Sequence, residues 1–122
     1  GRRLLSSVKD EMKQNNLPFI DQNSIVQDVL VKMTEGRLGL ALVGTKEDLK
    51  GVITDGDIRR ALIDKKNFPE LKAKDLMNSN PLTALESDNL RVAEKRMREA
   101  KVQCLVVKNP TNEVVGVIQI FE

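Results

Sequence analysis

The chain has 122 residues, 40% of them hydrophobic, which is enough apolar material for a modest core in a chain expected to fold as one unit. Its 20 basic and 18 acidic side chains leave a net charge of +2, too small for long-range attraction to nucleic acid or an anionic membrane. Aromatic residues are 2%, so base-stacking platforms are nearly absent, and the lack of His removes the commonest general base and the commonest neutral metal ligand.

The opening Gly1-Arg2-Arg3-Leu4-Leu5 has neither an initiator Met nor an apolar signal region, and no apolar run approaches bilayer length; a cytoplasmic chain is expected. Farther on, Val26, Val29, Leu30 and Met33 fall at i, i+3, i+4 and i+7, which predicts a helix from about Ile25 to Glu35. Ser24 is placed to cap it, Gln27 completes a capping-box pattern, and Gly36 suits the left-handed position that ends a helix. Leu38 to Val43 reads as a buried strand, Gly44 to Lys50 as a polar turn, and Gly51-Val52-Ile53 as the second strand of a hairpin. Ile58 to Ile63 then starts a helix, with Ile58, Ala61 and Leu62 spaced to face the core.

A second set of elements follows. A helix is predicted from about Asn89 to Ala100, with Leu90, Ala93, Met97 and Ala100 as its stripe. The strand Val102 to Val107 contains the single Cys104, read as a buried small hydrophobe. It leads through the turn-forming Asn109-Pro110-Thr111-Asn112 into a strand at Val114 to Ile120.

The two sets are copies. Val8-Lys9-Asp10-Glu11-Met12 is echoed by Ala73-Lys74-Asp75-Leu76-Met77, and the helix ending near Met33 by the one ending near Met97. Leu40-Ala41-Leu42-Val43 is echoed by Cys104-Leu105-Val106-Val107, and Gly51-Val52-Ile53 by Gly116-Val117-Ile118. The displacement is 64 or 65 positions throughout, which chance matching of apolar residues would rarely give. The chain is a duplicated unit, expected to end just before, or at the start of, a second closing helix.

With this order of elements, and Gly51-Val52-Ile53-Thr54-Asp55-Gly56-Asp57-Ile58 after the hairpin, each copy resembles a cystathionine-β-synthase (CBS) domain, and the chain resembles a tandem CBS pair or Bateman module. Gly1-Arg2-Arg3-Leu4-Leu5, Asp10, Met12 and Thr54-Asp55-Gly56-Asp57-Ile58-Arg59-Arg60 are in addition similar to the C-terminal half of bacterial D-arabinose-5-phosphate isomerases. That resemblance implies an α/β fold with residues 1–7 as a linker from a missing catalytic sugar-isomerase (SIS) domain. A first CBS unit at 8–66, a connecting loop at 67–72 and a second, truncated unit at 73–122 would follow. The units are expected to be related by a pseudo-two-fold axis with clefts between them, and the pairs to associate into a homodimer, within a tetrameric full-length isomerase. No catalytic residue is expected in this fragment.

Candidate ligand-binding residues follow from the same place in the sequence. Thr54 to Asp57 lies where a strand ends and a helix begins, so unpaired N–H groups and the helix dipole favour an anion there. A carboxylate accepts two hydrogen bonds from vicinal ribose hydroxyls, and resemblance to nucleotide-binding CBS domains gives Asp57 that role, with Thr54 on ribose or phosphate and Asp55 alongside. Arg59 and Arg60 are placed to add phosphate or carboxylate contacts; Arg59-Arg60 with Lys65-Lys66 also reads as a solvated helix face. Thr54 and Asp57 equally fit a capping box, and capping and binding can coexist. In the second copy Gln119 and Glu122 stand where Thr54 and Asp57 stand in the first, so nucleotide binding is expected at one site or none.

No cofactor is required, and the expected ligand is a regulatory nucleotide or a nucleotide sugar, with CMP-Kdo, the activated end product of the isomerase's pathway, as candidate. A structural dimerisation module without ligand is the alternative. Nucleic-acid binding is disfavoured because Asp64, Glu70 and Asp75 interrupt the basic stretch. Asp55-Gly56-Asp57 could open a calcium loop, but Arg59, Arg60 and Lys66 then occupy ligand and glycine positions, so no metal is expected.

Overall fold

A computed structural model describes residues 6–64 and 66–120. The chain divides into two compact units rather than one, the first being Pro18–Pro81 and the second joining the N-terminal stretch up to Leu17 to the stretch from Leu82 onward. Each closes its own core around its own sheet.

In the first unit β1 (Phe19–Ile20) pairs in parallel with β2 (Leu40–Gly44), which pairs antiparallel with β3 (Leu49–Thr54). The helices are α2 (Val26–Gly36), α3 (Asp55–Asp64) and the single turn α4 (Ala73–Leu76). In the second unit β4 (Thr83–Leu85), β5 (Cys104–Lys108) and β6 (Val114–Gln119) repeat the same order and pairing, with α5 (Leu90–Ala100) and the single turn α1 (Val8–Glu11). The fold is α/β with the duplicated order that the repeat predicts.

The short helices are exchanged. The α1 that begins the first repeat packs in the second unit, where Val8 and Met12 join Leu90, Met97 and Ile118 in one core, while α4 supplies Ala73 and Leu76 to the first core. Backbone pairing fixes the exchange: Lys13 N–H donates to the Val117 carbonyl at 2.9 Å and Val117 N–H returns a bond at 3.0 Å. Asn78 and Val52 do the same in the other unit, at 2.8 and 3.0 Å. Sequence boundaries at 8–66 and 73–122 therefore mark the repeats, whereas in space the chain changes unit between Leu17 and Pro18 and between Pro81 and Leu82.

Both hairpins carry a register irregularity at equivalent places, Val43/Gly44 and Val107/Lys108. The loop after β5 is one residue longer than the loop after β2, which turns a displacement of 64 into 65 between the blocks on either side. β2 is a continuous apolar run because both its faces are buried: Ala41 and Val43 point into the core of α2 and α3, while Leu40 and Leu42 on the other face are equally enclosed.

Several local expectations are corrected. α2 begins at Val26 with Ile25 as N-cap, and Ser24 makes no side-chain cap; its carbonyl instead accepts Ala73 N–H at 2.8 Å, holding α4 in place. Gly36 is the last helical residue, and the left-handed position belongs to Arg37, at φ 56°. Gly36 is small for another reason: a Cβ there would approach Pro18 Cβ at 3.0 Å. The second helix keeps the expected cap, Asn89 accepting from Arg91 and Val92 N–H, and ends on Lys101, also left-handed. Leu30, Leu62 and Ala100 are exposed rather than core-facing, since each lies at the margin of a stripe whose centre is Val29 and Met33, Ile58 and Ala61, or Ala93 and Met97. α3 starts at Asp55, three residues before the apolar signal at Ile58. Cys104 is half-buried at the start of β5, and that strand starts two residues later than the apolar run. Among the described residues no helix is long and apolar enough to cross a membrane.

Candidate functional site

The site is built where β3 hands the chain to α3. Thr54, the last residue of β3, pairs with Leu40 across the hairpin, and Asp55 N–H reaches the Gly39 carbonyl at 3.3 Å, so the strand end is tied to the start of β2. From that anchored point the first turn of α3 folds back on Thr54. Asp57 N–H donates to Thr54 Oγ1 at 3.3 Å, and Thr54 N–H donates to Asp57 Oδ2 at 2.9 Å, the reciprocal pair of a capping box. The Thr54 hydroxyl also donates to Oδ2, at 3.0 Å. The second carboxylate oxygen is engaged too: Arg60 Nη2 donates to Asp57 Oδ1 at 2.7 Å, as a short charge-assisted bond. Asp57 is largely enclosed, its side chain 16% exposed, while that of Arg60 is 67% exposed.

Arg60 reaches Asp57 by lying across Gly56. A Cβ on Gly56 would sit 3.3 Å from Arg60 Nη1 and 3.5 Å from Nη2, so the bare glycine leaves the guanidinium room at the helix start. Asp55 and Asp57 are two residues apart on a helix and point to different sides of it. Asp55 instead lines an open hollow of about 370 Å³ with Leu30, Met33, Thr34, Arg37 and Gly39.

The expected site residues thus separate. Thr54, Asp57 and Arg60 form one hydrogen-bonded cluster, Asp55 faces the neighbouring hollow, and Arg59 is exposed on the helix surface. Gln119 ends β6 opposite Cys104, as Thr54 ends β3 opposite Leu40, which makes it the positional equivalent of Thr54 in the second unit. Glu122 and Lys65 lie outside the described residues. The sequence reading missed Gly56, whose missing side chain admits Arg60, and Thr34 and Arg37 of the hollow. The spacing of Asp57 and Arg60, one helical turn apart, was the available signal for their pairing.

These two units, each a three-stranded sheet of the same order and pairing, the first with this strand–helix junction, are CBS domains. The family model "CBS domain" matches residues 8–64 and 73–120, and the chain belongs to that family twice over. Among proteins of known sequence it is similar to a probable arabinose 5-phosphate isomerase of Haemophilus influenzae, 48% identical over 98% of this chain and 35% of that protein. It is also similar to the arabinose 5-phosphate isomerase KpsF of Escherichia coli, 35% identical over 100% of this chain and 37% of that protein. The chain therefore spans little more than a third of the length of these relatives. Among solved structures, the CBS domain protein PAE2072 from Pyrobaculum aerophilum, complexed with AMP, superposes with a TM-score of 0.80 at 25% identity, covering 93% of this chain and 87% of that one.

Proposed function

We propose that this chain is the regulatory, ligand-binding CBS pair of a cytoplasmic arabinose-5-phosphate isomerase whose chemistry is carried by a separate SIS domain. The observation that carries the reading is the Thr54–Asp57 pair, held at a strand–helix junction in a CBS domain. Support comes from a relative of the same fold that is complexed with AMP. The ligand is a nucleotide or nucleotide sugar, with CMP-Kdo as the candidate end-product signal. Its vicinal ribose hydroxyls donate to the Asp57 carboxylate, and its phosphate lies toward the N–H groups that open α3. One molecule binds per chain, because Gln119 stands at the position of Thr54 in the second unit. The pair forms a homodimer within a tetrameric isomerase, and a ligand that prefers one arrangement of the pair transmits its presence to the SIS domain.

Calorimetric titration with CMP-Kdo, CMP, AMP and ATP tests this. Saturable binding of at least one of them at one site per chain is expected, and absence of heat from all four at millimolar concentration would overturn the reading. A structural dimerisation role without ligand is the second reading. It is favoured by one observation, that both Asp57 oxygens are already satisfied inside the protein. A melting temperature unmoved by the whole panel supports it, since a ligand that binds only the native state must raise stability.

A further inference from the structure

The contact between Arg60 and Asp57 bears on which ligands the site accepts, and the inference drawn from it rests on the nucleotide reading above. An ionised carboxylate offers about four acceptor positions. Thr54 takes two of them on Oδ2, and Arg60 takes Oδ1 at 2.7 Å. A vicinal diol that is to bind both oxygens meets a carboxylate whose freer oxygen is already held by a cation.

That cation sits in an electrostatically awkward place. It lies across Gly56 in the first turn of α3, where the helix dipole is positive and repels a guanidinium. The Asp57 carboxylate is what holds it there, and its side chain is long and mostly exposed, so it can swing without disturbing the core. A hydroxyl that replaces it on Oδ1 sets free a guanidinium beside a helix start, where an anion is favoured.

We propose that Arg60 is a latch on Asp57 that makes the site selective for phosphorylated ligands, nucleotides over nucleosides. A nucleoside displaces Arg60 from Asp57 and leaves the guanidinium without a carboxylate. A nucleotide displaces it and offers a phosphate in exchange, so the charge-assisted bond is replaced rather than lost. Arg60 acts as a specificity-determining residue; Asp57 remains the group that holds the ribose.

The test compares AMP with adenosine and CMP with cytidine by calorimetry on the wild type, Arg60→Gln and Arg60→Lys, with thermal unfolding confirming that each variant is folded. In Arg60→Gln the nucleotide weakens while the nucleoside binds as well as before or better, so the preference for the phosphorylated partner falls by about tenfold, the size of one charged hydrogen bond. Arg60→Lys, which keeps the charge and loses the planar fork, falls between. A merely structural Arg60 would weaken nucleoside and nucleotide in parallel, and an unchanged ratio or a parallel loss overturns the latch while leaving the nucleotide site standing. Failure of the wild type to bind either nucleotide removes the nucleotide site and the latch together.

Discussion

Two glycines separated by 65 positions hold the exchanged segments in place. A Cβ on Gly116 would lie 2.6 Å from Met12 Sδ and 2.8 Å from the Lys13 carbonyl, and one on Gly51 would lie 2.6 Å from the Asn78 carbonyl. The methionine tails can turn away, but the carbonyls belong to the paired segments and cannot retreat without breaking their hydrogen bonds to Val117 and Val52. Gly116→Ala and Gly51→Ala are each expected to lower stability by about 1 to 3 kcal/mol, as overpacking does. Urea unfolding measures the loss. Amide exchange assigns it, with Lys13 and Val117 accelerated in the first variant and Asn78 and Val52 in the second. At the site itself, Thr54→Val removes the hydroxyl that caps α3 and is expected to cost about 1 kcal/mol of stability, again read from urea unfolding. Asp57→Asn keeps the shape but loses the charge; calorimetry should show nucleotide affinity falling more than tenfold, with stability lowered only by about the same 1 kcal/mol. A full loss of folding in Asp57→Asn would instead make the residue a structural cap and nothing more.

Among the elements, the four-residue helices α1 and α4 have no means of standing alone, because so short a segment does not reach the length at which helix formation becomes favourable. They exist because they dock. Val8 is fully buried in the second unit, and Ser7 N–H is held by Asp10 Oδ2 at 2.8 Å, as Lys72 N–H is held by Asp75 at 2.9 Å. Val8→Ala should therefore leave a cavity and destabilise the second unit by about 1 to 3 kcal/mol, although the residue belongs by sequence to the first repeat. Nuclear magnetic resonance can assign this: peaks of β5 and β6 broaden or shift, while those of β2 and β3 stay. The longer helices were legible because their stripes are centred on residues that pack, Val29 and Met33 or Ala93 and Met97. Their ends were less so. The left-handed terminators are Arg37 and Lys101, side chains that carry no sequence signal for that conformation, and Gly36, beside Arg37, answers to packing against Pro18.

For the molecule as a whole, the exchange makes the two units unequal as fragments. Residues 18–81 contain every strand and helix of the first unit in one continuous stretch, whereas the second unit is assembled from both ends of the chain. A fragment of residues 18–81 is expected to fold alone, marginally, as domains of about 60 residues do. One of residues 82–122 should stay unfolded until a peptide of residues 1–17 is added. Circular dichroism with and without the peptide checks both. An independently folded 82–122 fragment would mean that α1 decorates the second core and does not complete it.

What the amino-acid sequence determined by itself was the repeated order of elements, because burial imposes a period of 3.6 on helices and a continuous apolar run on strands enclosed on both faces, and both marks survive duplication. The junction from Thr54 to Asp57 was legible for the same local reason: a capping box involves residues three apart. Only the tertiary structure decided that each short helix serves the other repeat's core, that Gly51 and Gly116 are small to admit a neighbouring backbone, and that Asp55 and Asp57 face different surroundings. Those features depend on contacts between segments tens of residues apart, or between both ends of the chain, and no window of sequence contains both partners.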